Sequence, residues 1–175
     1  MTVSKSPKPD QQIISNLQSK KTELVLETIE QLRSSGNLSY MPALFDLLNS
    51  SSEKEINSAI LKLCSDIKNT EIIPLLIDAI LDEKYAGIRK NLISICWENR
   101  LDFSSYLPLF VELVINEELE VAFEAYTVII NLEGKVAPEM INREIDKMEA
   151  ALNQVSEQKK QLLIDIIDFL PHVSD

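Results

Sequence analysis

One histidine, two cysteines and three glycines in 175 residues leave little of what most catalytic, metal-binding and hairpin-rich architectures require. His172 lies close to the C-terminus, and with Cys64 and Cys96 it falls short of the four ligands of a structural zinc site. There is no nucleophile beside a base, no glycine-rich phosphate loop and no cluster of metal ligands. The expectation is a protein that is not an enzyme, with no catalytic residue, no cofactor and no metal. Acid-base chemistry would fall by default on carboxylates such as Glu98 and Asp102, beside Trp97 and Tyr106. So few glycines also disfavour a β fold built on tight turns. Basic residues are scarce, 17 against 28 acidic, and the resulting net charge of -11 repels polyphosphate backbones and anionic membrane surfaces alike. Neither nucleic acid nor a membrane is expected as partner. No long apolar run is present either. The stretch Leu107 to Ile115 is broken by Glu112, and Met1 to Asp10 has lysines and prolines without an apolar segment, so no export signal or membrane span is predicted.

What the sequence does have is a repeat. Ser39-Tyr40-Met41-Pro42 returns as Ser105-Tyr106-Leu107-Pro108, and Ile72-Ile73-Pro74 opens the same apolar run between them. The prolines are 32 and 34 residues apart, a period that points to stacked helical hairpins. With 45% hydrophobic residues, core material suffices for one all-α domain. Aligned on the prolines, the first helices place Asp46, Asp78 and Glu112 at one position, and Ser39, Thr70 and Ser105 are expected to cap them. The second helices align as Ile56, Ile88 and Ala122; then Ala59, Asn91 and Ala125; then Ile60, Leu92 and Tyr126; then Leu63, Ile95 and Ile129. That is the i, i+3, i+4, i+7 spacing of a buried stripe.

Before these repeats, Gln11 to Gln18 and Lys21 to Ser34 read as an incomplete leading pair ended by Ser35-Gly36-Asn37. After them, Gly134 and Pro138 open a longer helix, and Ser156 caps a last one with Leu163, Ile166, Ile167 and Leu170 inside and Lys159, Lys160 and Asp165 outside. Cys64 and Cys96 fall at equivalent points of adjacent repeats. Packed helices lie about 8–10 Å apart, beyond the roughly 7 Å Cα limit of a disulfide, so free buried thiols and a reducing, cytoplasmic setting are expected. Residues 1–9 are predicted to be a disordered tail, 10–171 a helical repeat domain and 172–175 a C-terminal tail.

The paired helices resemble HEAT repeats. The residues that carry the likeness are the first-helix proline together with Asp82, Ile88 and Arg89 in Leu81-Asp82-Glu83-Lys84-Tyr85-Ala86-Gly87-Ile88-Arg89. Neighbouring repeats have Asn57 and Phe123 in place of the arginine, so a continuous Asp/Arg ladder is not expected. The resemblance implies a right-handed α-α superhelix, a HEAT-like solenoid of about five helix pairs, with the second helices lining the concave face. It also implies an adaptor that binds a protein partner there. The alternatives are a structural subunit that self-associates or docks into a larger complex, and, ranked lower, an enzyme of the DNA glycosylase or lyase type that some HEAT-like solenoids are.

On that register the outward positions include Leu61, Arg89, Lys90, Ile93, Trp97 and Phe123. Leu61, Ile93, Trp97 and Phe123 form one apolar patch for a peptide or helix, or else the two aromatics fold down as ordinary core. Arg89 either binds an anionic ligand with Lys90 or pairs with Asp82 across the turn. The row Asp46, Asp78 and Glu112 is expected to be solvated surface, because single carboxylates about 10 Å apart cannot share an ion. The last helix is expected to cap the array, in a monomer or, through its apolar excess, a homodimer.

Overall fold

The computed structural model describes residues 9–173. The predicted N-terminal tail lies outside the described residues except for Pro9, and of the predicted C-terminal tail residues 174 and 175 also lie outside them, while His172 closes a 3-10 turn, Leu170–His172. Among the described residues there are ten α-helices and no strand, as the hydrophobic spacing predicts. They divide into two compact units, Met1–Ile88 and Arg89–Asp175.

The first unit contains α1 (Gln11–Leu17), α2 (Thr22–Ser35), α3 (Met41–Ser50), α4 (Lys54–Asp66) and α5 (Ile72–Leu81), followed by a 3-10 segment, Glu83–Ile88. Asp10 caps α1 by accepting from the Gln12 amide at 2.8 Å. Gly36, with φ 62°, ends α2 in the left-handed conformation that glycine adopts at little cost. Helix α1 packs on α2 and α3, α2 on α4, and α3 on α4, α5 and the 3-10 segment. The second unit contains α6 (Arg89–Glu98), α7 (Leu107–Asn116), α8 (Leu119–Ile130), α9 (Pro138–Ala151) and α10 (Glu157–Phe169). There α6 packs on α8, α7 on α8 and α9, and α10 on α7, α8 and α9.

The apolar stripes read from the sequence form the cores. Ile56, Ile60 and Leu63 of α4 and Leu92, Ile95, Ala122, Ala125 and Ile129 of α6 and α8 are buried. Each fully buried aliphatic side chain contributes roughly 1.5–3 kcal/mol, so four or five such positions hold a short helix in place.

The helix caps differ from expectation. Ser39 Oγ is buried and finds no hydrogen-bond partner among the described residues, and Thr70 and Ser105 are exposed. The capping groups sit upstream. Asn37 Oδ1 accepts from the Ser39 amide at 3.0 Å, Asn69 Oδ1 from Glu71 at 3.0 Å and Asp102 Oδ1 from Ser104 at 2.9 Å. The reason is that 3-10 turns, Leu38–Tyr40 and Ser104–Tyr106, precede α3 and α7, so the free amides begin earlier than the proline suggests.

Candidate partner-binding face

Helix α8 carries the most exposed apolar surface of the second unit. Its inner side buries Ala122, Ala125, Val128 and Ile129, while Leu119 and Phe123, one turn apart, remain 39% and 53% exposed. With Leu162 of α10 they form the apolar floor of a groove of about 540 Å³ spanning α6, α8 and α10. Lys90 and Ser94 of α6, and Glu120 and Glu124 of α8, supply its polar edge. The Phe123 ring lies 6.0 Å from that of Tyr126, centroid to centroid, at a tilt of 32°.

Three bridges leave α6, one to the end of α7 and two to α8. Arg89 Nη1 donates to Glu117 Oε1 at 2.7 Å, Lys90 Nζ pairs with Glu120, and Trp97 Nε1 donates to Glu124 Oε2 at 2.8 Å. The hydrogen bond from Lys90 is the main cause that holds the Glu120 carboxyl below its ordinary range. In return that bond, with the charges of Glu120 and Glu124, raises Lys90. The other oxygen of Glu124 has no hydrogen-bond partner among the described residues.

These contacts revise the outward register. Ile93 is fully buried. It shares the α8-facing flank of α6 with Lys90 and Trp97, three and four residues away, and the longer side chains reach to α8 while the aliphatic one is enclosed. Arg89 is only 8% exposed and is engaged by Glu117, so it is not an open anion-binding residue. Trp97 is half-buried and anchored through its indole N–H, which makes it a bridge between α6 and α8 rather than a free anchor. Lys90 and Phe123 are exposed as expected, and Leu61 is half-buried on α4 in the first unit. Leu119 and Leu162 were missed. The i, i+4 spacing of Leu119 and Phe123 was the available signal, hidden because the three-repeat alignment began one turn later.

The first-helix carboxylates are more structured than a solvated stripe. Asp46 is paired with Lys84 and accepts from Tyr85 Oη at 2.6 Å, and Glu112 Oε1 accepts from Lys147 Nζ at 2.9 Å. Asp78 is exposed. Burial works against ionisation of Asp46, but the hydrogen bonds from Lys84 and Tyr85 outweigh it and lower its pKa. Lys147 also pairs with Glu144 at 2.8 Å, a fully buried carboxylate that Arg143 contacts at 3.0 Å. Lys159 is not an outward residue. Its Nζ donates to the backbone carbonyls of Ile115 and Glu117 at the end of α7, the second at 2.8 Å, and burial pushes its pKa down.

Asp102, a default acid-base candidate, is held as a capping residue by Ser104. Cys64 and Cys96 are free and buried, and burial pushes the Cys64 thiol up to about 12 and Cys96 further in the same direction. No group of three or more potential metal ligands occurs among the described residues, and none of their helices is long and apolar enough to cross a membrane. Comparison with protein-family models found no match for this chain, and comparison with curated proteins found none either.

Proposed function

We propose that this chain is a cytoplasmic, non-catalytic HEAT-like module, a superhelix of about five helix pairs that serves as an adaptor by binding a protein partner on its second-helix face. The helix contacts support the repeat reading. Within each unit like helices lie against like, α1 on α3 and α3 on α5, α2 on α4, α6 on α8 and α8 on α10, α7 on α9. The observation that carries the binding reading is the exposure of Phe123 and Leu119 on one turn of α8, at 53% and 39%. A large aromatic beside a second apolar side chain, ringed by polar groups, is the composition of an interface anchor, and its desolvation supplies the affinity.

The test is a photo-crosslinking amino acid placed at position 123, with a control at Asp78 on the first-helix side. Discrete adducts with another protein in source-cell lysate from position 123, absent from position 78, are expected. Adducts of equal yield from both positions sink the reading. Adducts only with a second copy of the chain, together with a dimeric mass by light scattering, replace it with self-association.

A further inference from the structure

The groove over α8 also has a charge, and the charge selects among occupants. We infer that its partner is a cationic amphipathic peptide segment, which sets one or two large apolar side chains on Leu119, Phe123 and Leu162 and a lysine or arginine on Glu124. This inference rests on the partner-binding reading of the same face and adds the chemistry of the ligand.

The apolar component follows from the floor, since side chains there are desolvated only when something apolar covers them. A volume of about 540 Å³ lies within the range of sites that enclose a few side chains. The cationic component follows from the inventory of charge. Helix α8 has Glu120 and Glu124 among its twelve residues and no basic residue. Lys90 is the cation lining the groove, and it is already paired with Glu120. Glu124 is held at one oxygen by Trp97, a neutral donor, and feels Lys90 only through space, since that ammonium is bonded to Glu120, so its second oxygen remains for the ligand. Covering Glu124 with an uncharged segment would bury a carboxylate whose second oxygen has no hydrogen bond, which is costly, whereas a guanidinium or ammonium converts that cost into a charge-assisted hydrogen bond. The same charge disfavours an anionic ligand. It also disfavours a second copy of a chain with net charge -11, whose own groove would bring Glu124 against like charge.

Selection from a random peptide library displayed on phage, with the intact chain immobilised, tests this without presupposing a partner. Peptides enriched in both lysine or arginine and leucine or phenylalanine are the expected result. Trp97, the only tryptophan, donates to Glu124 and so reports occupancy by its own emission. Binding of a selected peptide should shift that emission and should weaken with salt. Glu124→Gln keeps an acceptor for Trp97 and removes the charge, and is expected to weaken binding about tenfold. Phe123→Ser, at an exposed site that leaves the core untouched, is expected to weaken it about thirtyfold or more. Enrichment of neutral or acidic peptides that still need Phe123 overturns the cationic inference and leaves the partner-binding face standing. Selected peptides whose affinity is indifferent to Phe123→Ser overturn both, as does an affinity for lysine-serine peptides equal to that for the selected ones, since this signals attraction to the acidic chain as a whole.

Discussion

Gly134 offers the sharpest test of how the repeat entries are built. Its φ is not in the left-handed region, so alanine is compatible with its backbone and would stabilise by about 0.4–1 kcal/mol through the unfolded chain if space were the only other factor. Space is the difficulty. A Cβ there would fall well inside van der Waals contact of Ser104 Oγ and both carboxylate oxygens of Asp102. Asp102 cannot simply swing away, because its Oδ1 caps the Ser104 amide at 2.9 Å and Ser104 is only 4% exposed. Breaking that cap costs about 0.5–2 kcal/mol, and a buried amide left unsatisfied costs about 1–3 kcal/mol when no water reaches it. The alternative is to push back the segment that carries Gly134, whose neighbours Leu132 and Val136 are buried, at an overpacking cost of about 1–3 kcal/mol. Either route leaves Gly134→Ala less stable by about 2 kcal/mol after the unfolded-state gain. Urea titration followed by circular dichroism measures this as a lower midpoint at unchanged slope. Asp102→Ala supplies the control: with the carboxylate gone, adding Gly134→Ala should cost at least about 1 kcal/mol less than it does alone. A Gly134→Ala variant as stable as the parent, or equal costs in both backgrounds, would refute the close approach as the reason for glycine.

The other predictions concern the revised register, the cores and one ion pair. Ile93→Ala, at a fully buried site, should lose about 3 kcal/mol, whereas Phe123→Ala should change stability by less than about 0.5 kcal/mol in the same denaturation assay. The reverse ranking would restore Ile93 to the surface. Both thiols, with pKa raised by burial, should resist a chromogenic disulfide reagent at mildly alkaline pH in the folded chain and react together after unfolding in denaturant. Fast labelling of either one under native conditions would contradict its burial. Asp46 has a lowered folded pKa, so its contribution is present above the usual carboxylate range and is lost as pH falls through the folded value. Because its side chain is 52% exposed, Asp46→Asn should cost well under about 1 kcal/mol near neutrality, and the difference from the parent should vanish in acid. A difference that persists in acid would mean that the residue acts through its shape and not its charge.

The sequence carried the helices well because their signal is redundant. Ile56, Ile60 and Leu63 recur as Ile88, Leu92 and Ile95 and as Ala122, Tyr126 and Ile129, and three copies of one stripe fix a register that a single helix leaves open. Nearly all of these positions are buried, and Tyr126 is half-buried. The caps are less legible, because each proline has a hydroxyl beside it that is equally suited to capping. Asn37, Asn69 and Asp102 follow one another by 32 and 33 residues, close to the proline period, so the correct capping row was as visible as the wrong one. At α3 and α7 what decided between them was the 3-10 turn, and a 3-10 turn has no hydrophobic period of its own to read.

The candidate face was legible only in part, for a related reason. Alignment compares a position with its equivalents one repeat away and treats every flank of a helix as equally covered. It therefore placed Ile93 with Leu61 and Thr127, which are half-buried, although the α6 flank is enclosed by its bridges to α8. Those bridges join residues 27 to 30 positions apart, Arg89 to Glu117, Lys90 to Glu120 and Trp97 to Glu124. In the first unit Arg33 of α2 reaches Asp66 of α4 across 33 positions. Complementary groups spaced by about one repeat thus tie second helix to second helix, Lys147 of α9 with Glu112 of α7 joins first helix to first helix, and Lys84 ties the 3-10 segment to Asp46 of α3. The bridging acids are spent on such pairs, so charge composition alone does not mark one face of the helices. A search of the sequence for opposite charges one repeat apart pairs Arg89 with Glu117 but matches Lys90 with Glu120 and with Glu124 alike, 30 and 34 positions away, and only the structure shows Lys90 bonded to Glu120 and Glu124 held by the neutral indole of Trp97.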